Sequence, residues 1–135
     1  EAQVLTTMHT RLLPLLVLTA VLAGCVAPPP APQGLMDVAE RPAEKALLAG
    51  MRAYDDAQYP LAEKRLDQAL KAGLVSPRDI AAAHKYLAFI YCTTDRVPAC
   101  EAEFRAARLA DLNFALSKAE AGHPQWGPVY QRTRQ

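Results

Sequence analysis

Between residues 42 and 111 the small and apolar positions recur at helical spacing rather than in strict alternation. Ala62, Leu66 and Ala69 stand at i, i+4 and i+7, and Cys100, Phe104 and Ala107 repeat that arrangement. Each set is the single apolar stripe of a helix that must pack on a neighbour. The two sets are offset by 38 residues, as are Gly50 and Ala88, so the segment reads as an internal repeat. Gly50 and Ala88 fall on the preceding helix of each copy, where lack of bulk lets two helices approach closely. Each copy is therefore predicted to be a helical hairpin.

Turn chemistry divides the chain in the same way. Pro60 and Pro98 sit where the second helix of each hairpin begins, a position at which the missing N–H costs nothing. Gly73 is a suitable stop, and Ser76-Pro77-Arg78-Asp79 is a start, with Ser76 as N-cap and an acidic residue in the first turn. The spacing predicts helices at about 42 to 56, 60 to 72, 77 to 92 and 98 to 111. Two hairpins make a thin core, and stacked repeats want a third unit or a cap. Ser117-Lys118-Ala119-Glu120 has capping-box spacing, Gly122 can end that short turn, and Pro124 is predicted to open a last helix carrying Trp126, Val129 and Tyr130. Trp126 and Tyr130 are expected to cover the open apolar side of the second hairpin; the alternative is an exposed binding anchor.

The fold expected is thus all-α. Its pattern resembles the tetratricopeptide repeat on Gly50, Tyr54, Tyr59, Ala62, Leu66, Ala69 and Leu70 in the first copy and on Leu87, Ala88, Tyr91, Phe104, Ala107 and Asp111 in the second. The copies are longer than that family's unit of about 34 residues, with the extra length near Gly73 to Ser76. Leu112 stands where a proline is common, and Ala49 and Ala53 where larger residues are usual. The resemblance implies that the first helix of each hairpin lines a concave groove, which places Met51, Tyr54, Asp55, Lys85 and Phe89 toward a protein partner. Met and aromatic side chains supply adaptable apolar contact, and Lys85 suits a carboxylate. For Phe89, packing between neighbouring hairpins is the competing expectation.

The start of the chain is different in kind. Met8-His9-Thr10-Arg11 is a short cationic stretch, followed by an apolar run from Leu12 to Ala23. That run is shorter than the roughly 20 residues a spanning helix needs, and it fits the core of an export signal. It ends in Leu22-Ala23-Gly24-Cys25, which resembles the lipobox of bacterial lipoproteins, where small residues admit the signal peptidase and the cysteine thiol accepts diacylglycerol. The competing reading is a chance tetrapeptide after an ordinary secretory signal. By the same resemblance, Val26 after the cysteine implies sorting to the outer membrane, with the helices facing the periplasm. Pro28-Pro29-Pro30-Ala31-Pro32 cannot join a packed core and favours extended geometry at roughly 3 Å per residue, a tether. The expected organisation is residues 1–7 with no assigned role, 8–24 signal peptide, 25–41 lipidated cysteine and disordered tether, and 42–133 helical domain.

Charge narrows the partners. A net charge of +1 with 21% charged residues gives no basic excess to track a phosphate backbone, so nucleic acid is not expected. Of three cysteines, Cys25 is assigned to lipid and Cys92 and Cys100 remain, at similar height across a hairpin. An exported protein favours a disulfide between them; two reduced core thiols, or a zinc site completed by His84 and His123, are the other states compatible with the residues. His84 shares a helical face with Leu87, Ala88 and Tyr91 and is expected to be packed and hydrogen-bonded. No orienting third group for a cysteine–histidine nucleophile is found, so catalysis is not expected; Cys92 and Cys100 lack the close Cys-x-x-Cys spacing, so a metal is not expected either. The covalent lipid is the sole non-protein group expected.

These features together imply a membrane-anchored adaptor that binds a protein partner. The lipobox and tether, the run Ala83-His84-Lys85-Tyr86-Leu87-Ala88-Phe89-Ile90-Tyr91-Cys92, and His123-Pro124-Gln125-Trp126-Gly127-Pro128 resemble the TssQ-type lipoproteins associated with type VI secretion systems. That implies an accessory secretion component. The alternatives are a pilotin-like factor carrying an outer-membrane client and, from another class, a cell-wall or redox enzyme using Cys92 or His84.

Overall fold

The structure is a computed structural model that describes residues 40–134 together with Gly34 and Asp37. The expected signal peptide, the lipobox Leu22-Ala23-Gly24-Cys25 and the proline run of the tether lie outside the described residues. The described chain forms six helices: α1 (Pro42–Asp55), α2 (Tyr59–Ala72), α3 (Pro77–Thr93), α4 (Val97–Ala110), α5 (Lys118–Ala121) and α6 (Gly127–Arg132). No strand occurs among the described residues. The molecule is all-α, and the four long helices fall within two residues of their predicted bounds.

Proline marks the starts. α1, α2, α3, α4 and α6 each carry one in the first or second helical position, where its fixed φ is already helical and no intrahelical N–H bond is lost. Ser76 accepts the Asp79 N–H at 3.4 Å, and Gly73 ends α2 at φ 88°, the left-handed stop that glycine allows.

α1 packs on α2 and α3 on α4 as two hairpins, with α2 seated against α3. The repeat reaches the core side chains: Ala62, Leu66 and Ala69 and their counterparts Cys100, Phe104 and Ala107 are all 0% exposed. It also reaches the turns. The Gln58 N–H donates to the Ala53 carbonyl and the Arg96 N–H to that of Tyr91, both at 2.8 Å, while Ala57 and Asp95 share φ 58°. All of these pairs keep the 38-residue offset. At Gly50 a Cβ would lie 2.8 Å from Leu66 Cγ, so α1 and α2 approach more closely than any side chain there would permit.

The C-terminal segment supplies the cap that two hairpins lack. Trp126 stacks on Phe89 with ring centroids 4.2 Å apart, and Tyr130 meets Phe104 edge-on at 5.3 Å. The Leu116 N–H donates to the Tyr130 hydroxyl at 3.2 Å, and Trp126 Nε1 donates to the Glu120 carbonyl at 2.8 Å, so both polar tips are satisfied where they are buried. The expected capping box is present, with Ser117 and Glu120 each accepting the other's backbone N–H. One boundary differs from expectation. Pro124 does not open the last helix; a turn closed by the Gly127 N–H to the His123 carbonyl at 2.8 Å precedes α6, which begins at Gly127. Pro128 is the reason, because it has no N–H for the Pro124 carbonyl and its ring would clash there.

Candidate functional site

The opening between the first helices of the two hairpins is lined by aromatic side chains. Tyr54 of α1 meets Tyr86 of α3 edge-on at 5.0 Å and stands 5.6 Å from Tyr59. Both Tyr54 and Tyr86 are half-buried. Burial, reinforced by the neighbouring Tyr59 and Tyr86 hydroxyls, pushes the Tyr54 pKa up to about 12. Its hydroxyl therefore acts as a neutral donor and acceptor at any ordinary pH.

Lys85 rises beside this pair, with Nζ 5.0 Å from the Tyr86 ring centroid and 5.7 Å from that of Phe89. Nζ also donates to Glu120 Oε1 at 2.7 Å, and the other oxygen of that carboxylate accepts the Ser117 N–H at 2.8 Å. Burial opposes ionisation of Glu120, but the hydrogen bonds from Lys85 and Ser117 outweigh it and hold the carboxyl below its usual range. The cap and the aromatic cleft are thus joined through one carboxylate. Beyond Lys85, between α3 and the segment after α4, an open hollow of about 220 Å³ is bordered by Arg78, Asp111, Asn113 and Phe114.

Of the expected groove residues, Tyr54, Lys85 and Phe89 come together: Tyr54 stands at the junction of α1 and α3, whereas Lys85 and Phe89 are otherwise engaged. Phe89 does not face a partner: it is 3% exposed, covered by Trp126, because the C-terminal segment occupies the layer that a third hairpin would fill. Lys85 is not a free cation, since Glu120 already meets it. Met51 is half-buried against the first hairpin's core, and Asp55 is exposed at the end of α1. The sequence reading missed Tyr86 and Glu120. Tyr86 lies one residue off the Lys85 and Phe89 line, and Glu120 had been accounted for entirely by its capping box.

Cys92 and Cys100 are paired as a disulfide, with Cα atoms 5.2 Å apart. The bridge ties the C-terminal turn of α3 to the start of α4, and both cysteines are buried. Paired sulfurs present no thiolate to zinc, and among the described residues no cluster of three metal-binding side chains occurs. His123 instead stacks on Trp126 at 3.3 Å. His84 Nδ1 lies 2.6 Å from Glu103 Oε2, a packed pair joining α3 to α4 as its helical face suggested.

The other side of the module is held by Arg96, whose guanidinium binds both Glu63 oxygens at 3.0 and 2.7 Å and lies 4.2 Å over the Tyr91 ring. The Arg96 hydrogen bond holds the Glu63 carboxyl below its usual range. This fork fixes α2 against the α3–α4 turn.

No protein-family model, curated protein or solved structure matches this chain. Among the described residues no helix is long and apolar enough to cross a membrane.

Proposed function

We propose that this chain is a lipid-anchored adaptor, held to the outer membrane through Cys25, whose repeat module faces the periplasm and binds a protein partner. Its place is as an accessory of a secretion assembly of the type VI kind. The observation that carries the reading is the cleft between α1 and α3, where Tyr54 and Tyr86 meet edge-on with Lys85 beside them. Half-buried tyrosines on rigid helices give large contact area at low entropic cost, and aromatic residues are enriched where proteins bind one another.

The partner segment that suits this cleft is apolar with an acidic or hydroxyl group. Its side chains would lie on the tyrosine edges and its polar group would reach the Tyr54 hydroxyl or compete with Glu120 for Lys85. The buried disulfide and the His84–Glu103 pair are read as structural ties between α3 and α4. The experiment is crosslinked pull-down from native membranes with the wild-type chain, Tyr54→Ala and Tyr86→Ala, each confirmed folded by circular dichroism. Loss of the same captured protein from both variants is expected. Full capture by both folded variants overturns the assignment of the cleft.

A further inference from the structure

The four long helices alternate in direction, so the starts of α1 and α3 and the ends of α2 and α4 share one end of the module. Three large apolar side chains stand out there. Val75, in the link before α3, is 73% exposed; Leu109, in the last turn of α4, is 83% exposed; Leu112, just beyond it, is 93% exposed. The other exposed large apolar side chains of the described residues, Leu48, Leu61 and Val97, are each more than half covered. The extreme exposure is therefore confined to one end.

The chain also enters at that end, since Pro42 opens α1 there, 17 residues after Cys25. Lys71 at the end of α2 and Arg78 at the start of α3 are exposed and make no ion pair among the described residues. Of the acidic groups nearby, Asp67 lies one helical turn before Lys71 and is acted on by its charge, and two others are engaged locally. Asp79 lies in the first turn of α3, where the helix dipole meets its charge, and Asp111 accepts the Asn113 N–H at 2.9 Å.

We propose that this end rests on an anionic lipid surface, with Val75, Leu109 and Leu112 inserted among the headgroups and Lys71 and Arg78 meeting lipid phosphates. The inference deepens the anchored reading and rests on it. Aliphatic side chains carried singly on turns beside basic residues suit the headgroup boundary, where each can enter separately; a protein partner would meet a contiguous patch instead. A tether of that length keeps the module within about 60 Å of the bilayer, so a weak surface contact is made at high local concentration. Docked in this way, the module presents its opposite end and its cleft away from the lipid.

The test uses the full acylated chain in phosphatidylethanolamine and phosphatidylglycerol vesicles containing spin-labelled lipid. An environment-sensitive fluorophore is placed at Val75→Cys or, at the opposite end, at Asp56→Cys, with the Cys92–Cys100 disulfide intact. Quenching is expected at position 75 and not at 56, and Leu109→Ser with Leu112→Ser should remove most of it. Equal quenching at the two positions, or none lost in the serine pair, overturns the proposal. So does a photo-crosslinker at Val75→Cys that captures a protein while lipid quenching is absent. Mass measurement of the reconstituted chain separates the two readings: an unacylated Cys25 removes the anchor and this inference with it, whereas an acylated chain with an unquenched probe removes this inference alone.

Discussion

Trp126 stacks on Phe89 at 4.2 Å with the ring planes 24° apart, so a side chain from beyond the repeats completes the core of the second hairpin. Truncation there removes most of the contact area of the cap and leaves Phe89 facing water. Trp126→Ala should destabilise the module by about 3 kcal/mol. Urea unfolding followed by far-ultraviolet circular dichroism measures it, and a loss below about 1 kcal/mol would mean that the cap is not part of the core.

Much of this architecture was legible because side-chain size carries it. Ala62, Leu66 and Ala69 match Cys100, Phe104 and Ala107 in order and spacing, so the hairpins, their offset and their inward faces could be read directly. The cap was legible in part: the need for one follows from two stacked hairpins, and Trp126 and Tyr130 could be picked out for it, whereas the share taken by Phe114 and Leu116 carries no local signal. For Phe89 both groove and packing were open, because its spacing from Lys85 puts both on one helical face, and spacing alone does not say that another segment covers the lower half of that face. The Lys85–Glu120 bond joins residues 35 apart in the chain, and no local pattern announces such a pair. The turn at Ala57 was hidden for the opposite reason, since residue type there argues against the conformation adopted.

Ala57 holds φ 58°, a left-handed conformation that costs an L-residue with a Cβ about 1 kcal/mol relative to glycine. Ala57→Gly should therefore raise stability by roughly that amount. At Asp95, which has the same φ, the gain from Asp95→Gly should be smaller because aspartate tolerates this region better. Paired urea titrations of the two variants check the order.

The Cys92–Cys100 bridge spans a sequence separation of 8. Closing so short a loop still removes enough freedom from the unfolded chain to contribute about 2 to 3 kcal/mol. Cys92→Ser with Cys100→Ser should lower the urea midpoint accordingly, with the helical signal retained before the transition.

Stability should depend on pH at both extremes. Burial holds Tyr54 and Tyr91 neutral up to about 12, whereas unfolded tyrosines ionise near 10. Their contribution is intact below pH 10 and is lost as pH rises from 10 through about 12. On the acid side, Glu63 and Glu120 are held below the usual carboxylate range, so their contribution is present above about pH 4.5 and lost as pH falls through their folded values. Asp67, raised by burial, works in the opposite sense. In Glu63→Gln and Glu120→Gln the acid limb of a stability against pH curve should flatten.

The Lys85–Glu120 bond can be separated from any role of Lys85 toward a partner. Lys85→Glu sets two carboxylates together and should cost about 1 to 2 kcal/mol for this partly exposed pair. Lys85→Glu with Glu120→Lys restores opposite charges and should recover stability. Partner capture should stay lost in that double variant if a partner carboxylate uses Lys85, and return if the pair only holds the cap.

Acylation of Cys25 would set both the orientation of the module and the side on which its cleft is presented. Intact-mass spectrometry of the chain isolated from its native membrane tests this most directly. A polypeptide beginning at Cys25 is expected, heavier than its residues by the glyceryl and fatty-acyl groups. A chain that keeps residues 8–24, carries no acyl mass and fractionates with the soluble proteins would contradict it.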